Sequence, residues 1–121
     1  MENVNIDPSI KSAVASFVGF LELSAYKEIA INVLDVAIKN GVTKLILDKT
    51  HLQIIRPEIQ AWLKDEWLQM VVNAGMQYLV YVLTKEEFAN MSSSRLNEKY
   101  ETIEIQYVDS LASAKAWMAK K

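Results

Sequence analysis

The clearest patterning in the chain runs from Lys44 to Leu83, where an apolar run, a loop, a helical stretch and a second apolar run follow one another. Leu45, Ile46 and Leu47 predict a strand ending at Asp48, and Lys49 to Ile55 predicts a long loop. Pro57 suits the first position of a helix, where its missing N–H is not needed. That helix is expected to reach about Ala74 and to end at Gly75, with Ile59, Leu63, Trp67, Met70, Val71 and Ala74 packed on a sheet. Tyr78 to Leu83 is almost continuously apolar and rich in aromatic and β-branched residues, as a central parallel strand covered on both faces would be.

The flanks repeat this alternation. Val4 to Asp7 and Ile10 to Phe20 read as strands joined at Asp7-Pro8-Ser9, a trio that favours a turn. The second has apolar residues on both faces and is expected inside the sheet. Ser24 is a candidate cap for a helix to about Lys39, with a left-handed stop at Asn40-Gly41. Tyr26, Ile29, Ala30, Val33, Val36 and Ala37 form its main stripe, and Ile31, Leu34 and Ile38 a second one. Thr84-Lys85-Glu86-Glu87 matches a capping box, in which Thr84 and Glu87 bond each other's backbone N–H. The helix it opens is expected to break at Met91 to Ser94, with a further helical turn or two between Arg95 and Tyr100. Thr102 to Val108 alternates as a half-exposed strand, and Asp109 is a candidate cap for a last helix facing inward through Leu111, Ala114, Trp117 and Met118.

The resulting order, ββαβαβαβα, predicts a single α/β domain over residues 1–121, with a mostly parallel central sheet, an N-terminal hairpin and flanking helices. At 121 residues with 51% hydrophobic and 23% charged positions, the chain suits one domain with a substantial core. A net charge of −2 without a basic cluster argues against a nucleic acid partner, which would call for concentrated positive charge. The absence of Cys excludes disulfides, thiolate catalysis and Cys-based metal sites. An acidic N-terminus without an apolar block, and no run long enough for a membrane span, make a cytoplasmic protein the expectation.

Ligands of open α/β sheets lie beyond the carboxyl ends of the strands, which makes Asp48, Thr50 and His51 a candidate binding rim. His51 is the single His, so no His cluster can hold a metal; its plain reading is a solvated loop residue, and that of Asp48 a turn former. No Ser–His–Asp order, Gly-rich phosphate loop or paired carboxylates appear, and neither catalytic residues nor a cofactor are expected. Trp62 falls away from the Leu63/Trp67 face, beside Asp65, Glu66, Gln69 and Asn73. With Leu68 and Val72 it forms a candidate interaction surface, because partly exposed aromatics often anchor interfaces. The competing reading buries Trp62 under Ile54-Ile55 and the secondary stripes between neighbouring helices.

The chain resembles the STAS-like family (sulfate-transporter and anti-sigma-factor-antagonist domains), and within it the small bacterial SpoIIAA-like or STAS/SEC14-like proteins. The residues carrying the resemblance are Gly19-Phe20, Leu45 to Asp48, Pro57 to Trp67, Val80 to Phe88 and Asp109 to Trp117. It implies a non-enzymatic regulatory or protein-interaction module, including self-association as a dimer, or alternatively a binder of a small apolar, lipid-like or nucleotide ligand. Regulated relatives carry a phosphorylated Ser in an Asp-Ser motif; the matching stretch here, Gln53 to Pro57, has no hydroxyl, and Thr50 is the nearest. A response-regulator receiver does not fit, since the stretch just after Phe20 offers Glu22 alone in place of an acidic pair, and Tyr107-Val108-Asp109 supplies no Lys.

Overall fold

The computed structural model describes residues 3–52, 57–91 and 96–121. The expectations placed on Gln53 to Arg56 and on Ser92 to Ser94 lie outside these residues. Those described form one six-stranded mixed sheet with helices on both faces, an α/β fold. The strands are β1 (Val4–Asp7), β2 (Ser12–Gly19), β3 (Lys44–Leu52), β4 (Tyr78–Val82), β5 (Asn97–Tyr100) and β6 (Ile103–Val108), ordered β1-β2-β3-β4-β6-β5. Pairings β2–β3, β3–β4 and β4–β6 are parallel, while β1–β2 and β5–β6 are antiparallel at the edges.

The first hairpin forms where its turn residues predict it: the Asp7 carboxylate accepts hydrogen bonds from the Ser9 N–H (3.0 Å) and hydroxyl (2.6 Å). Helix α1 (Leu23–Lys39) has Glu22, not Ser24, at its cap position. It ends as expected at Asn40-Gly41, with Gly41 at φ 66° and the Val42 N–H returning to the Ala37 carbonyl at 3.1 Å. Its main stripe is buried, whereas the second divides: Leu34 is covered and Ile31 and Ile38 are exposed.

Residues 57–73 are helical as α2 (Pro57–Trp62), a π-helical turn (Leu63–Trp67) and α3 (Leu68–Asn73). The π turn, in which the Leu68 N–H reaches back to the Leu63 carbonyl, corrects the expected face. One extra residue in the turn brings positions five apart onto the same side, so Trp62 aligns with Trp67 and Leu63 with Leu68. Met70 turns outward, and Trp62 and Leu68 turn in. The Trp67 indole N–H donates to the Ala30 carbonyl at 2.9 Å, locking this helical segment to α1.

Chain crossovers moving in one direction across a sheet place their helices on one face. Accordingly α1 and residues 57–73 share a core with Ala13, Ala15, Phe17, Leu45, Leu47, Leu79, Tyr81, Ile103 and Ile105. The short α4 (Lys85–Ala89) adds Phe88 there, and its capping box is formed as predicted: Glu87 N–H to Thr84 Oγ1 and Thr84 N–H to Glu87 Oε1, both 3.2 Å. Helix α5 (Leu111–Met118) packs on the other face against Val14, Ile46, Val80, Val82 and Val108. Its cap is Ser110, whose hydroxyl accepts from the Ser113 N–H at 3.1 Å, rather than Asp109. Asn97–Tyr100 is a strand and not a helical turn, held through register pairs such as Glu98↔Ile105. No helix among the described residues is long and apolar enough to cross a membrane.

Candidate functional site

Strand β3 does not stop at Asp48. It continues to Leu52, with one extra β3 residue between Asp48 and His51 opposite Ser16 to Val18, after which β2 stays paired with it through Val18↔His51 and Gly19↔Leu52. This extension separates the residues of the expected rim. Asp48 is buried, with its carboxylate accepting from the Thr50 N–H (3.1 Å) and hydroxyl (2.6 Å), while His51 is exposed. Asp48 and Thr50 therefore satisfy each other. The proposed outer surface also changes: Trp62 is only 7% exposed, with the Lys27 ammonium 5.4 Å from its ring centroid, Leu68 is buried and Val72 half-buried.

What the extension creates is Lys49, in the alternation of Leu45 and Leu47 and hence on the helix-covered face. Lys49 is 6% exposed and lines a cavity of about 630 Å³ between the sheet and residues 57–73. That volume lies within the roughly 300–1,000 Å³ usual for small-molecule sites. Tyr81, Leu83, Ile105 and Tyr107 supply its sheet wall, Leu63 and Leu68 its helical wall, and Glu87 and Met91 one end. The π turn matters here, since it directs both Leu63 and Leu68 into the cavity. The cavity also lies toward the carboxyl ends of β3, β4 and β6, as the general rule for such sheets has it.

Among the described residues the Lys49 ammonium makes no hydrogen bond and no ion pair; the Tyr81 ring lies 5.2 Å away. Burial pushes this amine below the ordinary lysine range, and the Glu87 carboxylate partly opposes the shift. Tyr81 stacks on Tyr107 (5.4 Å between centroids), and burial, then Tyr107, Tyr26 and Glu98, raise its hydroxyl well above the usual range. The Tyr107 hydroxyl donates to Glu98 at 2.7 Å. Behind this layer, Tyr26 stacks on Phe17 at 4.3 Å, and its buried hydroxyl has no hydrogen-bond partner among the described residues. No group of three His, Asp or Glu side chains suited to a metal occurs among the described residues. The arrangement is a tyrosine-lined cavity with apolar walls, with Gln60, Lys64, Asn90 and Lys99 at its exposed rim and one buried amine, able to hold a small molecule that presents an acceptor to Lys49.

Sequence reasoning missed Lys49 by ending the strand at Asp48, four residues short of its end at Leu52. Its parity with Leu45 and Leu47 was the available signal.

Fold and cavity together define an α/β protein with a surface-open cavity between its sheet and residues 57–73. The chain matches no protein-family model and no curated protein.

Proposed function

We propose that this is a non-enzymatic binding protein for a small, mainly apolar ligand, held between the sheet and residues 57–73 with its one polar atom at Lys49. The observation that carries the reading is the Lys49 amine, buried in a sizeable cavity without an ion-pair or hydrogen-bond partner among the described residues. Charged groups are rarely buried unless paired, and an uncompensated one is destabilising. Such a group is retained where something outside the fold completes it. This corresponds to the ligand-binding alternative implied by the STAS/SEC14-like resemblance, and kinship with that family is part of the same proposal.

The test is amide shift mapping by NMR with hexanol and hexanoate. The expected result is perturbation centred on Lys49, Leu63, Leu68, Tyr81 and Ile105, lost when Leu63→Trp fills the cavity. Scattered or absent shifts with both probes overturn the reading.

A docking role, the other implication of the resemblance, draws support from Ile31 and Ile38, one side of α1 that the fold leaves exposed. Phe20, 66% exposed after β2, adds a second apolar site. An Ile38→Glu variant with unchanged oligomeric state and unchanged partner recovery would remove α1 from consideration.

A further inference from the structure

The acceptor that suits this pocket can be narrowed. Lys49, Lys64 and Lys99 line the cavity together with Glu87 and Glu98, so the lining carries both signs of charge and does not by itself select an anionic head group. A neutral carbonyl oxygen fits such a mixed lining without bringing in a further charge. Lys49 itself rests on an aromatic face, in a wall of Leu63, Leu68, Leu83 and Ile105, with no carboxylate paired to it among the described residues. A desolvated amine with further cationic side chains, Lys64 and Lys99, lining the same cavity is the arrangement that turns lysine into a nucleophile. We propose that Lys49 captures a small apolar aldehyde or ketone as a reversible imine, a step that rests on the pocket reading above and specifies its ligand.

The chemistry closes with groups already present. The Lys49 ammonium gives one proton, carried by water across the open cavity, to Glu87, whose carboxylate acts on it electrostatically without direct contact. The free nitrogen then forms a bond to the carbonyl carbon as the C=O π pair moves to oxygen. A proton passes from nitrogen to that oxygen, giving the neutral carbinolamine. Protonated Glu87 returns its proton to the hydroxyl, which leaves as water while the nitrogen pair forms the C=N bond. The product is an iminium cation and Glu87 is again a carboxylate; no oxidant or reductant is consumed. The iminium keeps the positive charge beside the Tyr81 ring, where the quadrupole of the aromatic face favours a cation. Burial lowers the proton affinity of the amine, which favours the first transfer.

The experiment treats the intact protein with hexanal and sodium borohydride near neutral pH, followed by peptide mapping. The expected result is one reduced hexyl group per chain, placed on Lys49 about tenfold faster than on exposed lysines outside the cavity such as Lys11, Lys39, Lys85 or Lys120. Lys49→Met is expected to lose that adduct, and mapping on the unsubstituted chain gives the answer even if the variant folds poorly. Labelling spread over the exposed lysines, or none at Lys49, overturns the imine. If hexanol still shifts the pocket amides in that case, the imine fails alone; if hexanol also fails, the pocket reading falls with it.

Discussion

Strand β3 carries a lysine near each end, and the two are treated in opposite ways. Lys44 Nζ donates to three backbone carbonyls, Ile10 at 3.2 Å, Met118 at 3.2 Å and Lys121 at 3.0 Å. It thereby ties the start of β2 and the end of α5 to the middle of the sheet, and the Asp7–Lys115 ion pair (3.0 Å) ties α5 to the first hairpin as well. Lys49, five residues on and on the other face, is more deeply buried, yet among the described residues it has only an aromatic ring beside it. One end of the strand uses its charge to hold elements together. The other holds a charge that the fold does not use. A buried amine facing a cavity is the observation on which the proposed binding role rests.

Removing each lysine separates the two ends, and the largest effect is expected at Lys44. Lys44→Met deletes charged hydrogen bonds to three carbonyls and is expected to destabilise by about 2 kcal/mol in urea unfolding, with the slope unchanged. Lys49→Met is expected to do the reverse, stabilising by roughly 1 kcal/mol as an apolar side chain replaces a buried charge. The sign of its pH dependence follows from the lowered amine. Because the folded value lies below the unfolded 10.5, native stability rises as pH climbs from the folded value toward 10.5. The advantage of Lys49→Met should therefore shrink across that window, as thermal melts at neutral and alkaline pH will read. Asp7→Asn is expected to be the smallest change, under about 1 kcal/mol for an exposed pair. Hydrogen bonds from Ser9, then from Lys115, lower the Asp7 carboxyl below its usual 3.8, so its contribution is full above that value and lost as pH falls through the folded one.

These ends differ in how openly the sequence declares them. The Asp7-Pro8-Ser9 turn, the Asn40-Gly41 stop and the Thr84–Glu87 capping box each follow from local chemistry, and each forms. Residues whose placement depends on distant partners were not legible. Asn97–Tyr100 has no apolar alternation to mark a strand; it forms by pairing with β6, with Asn97 bonded to Glu104 and Gln106 across the sheet. Its turn needs Glu101 at φ 52°, a conformation normally signalled by glycine. The π turn shifts the buried face of residues 57–73 by a residue that no regular helical period can anticipate, and Trp62 passes from apparent surface to core. Lys49 lies at the irregularity where β3 takes one residue more than β2 between Asp48 and His51, a register shift that no local pattern announces. The mixed sheet has a parallel centre, but both edges reverse.

The most direct measurement is the pH titration of the Lys49 side chain by ¹³Cε NMR, assigned by comparison with Lys49→Met. The expected result is a midpoint clearly below that of the other lysines, moving further when hexanol occupies the pocket. A Lys49 resonance that titrates together with Lys11 and Lys120, and ignores hexanol, would mean that the amine is solvated or paired and that the cavity holds no binding site.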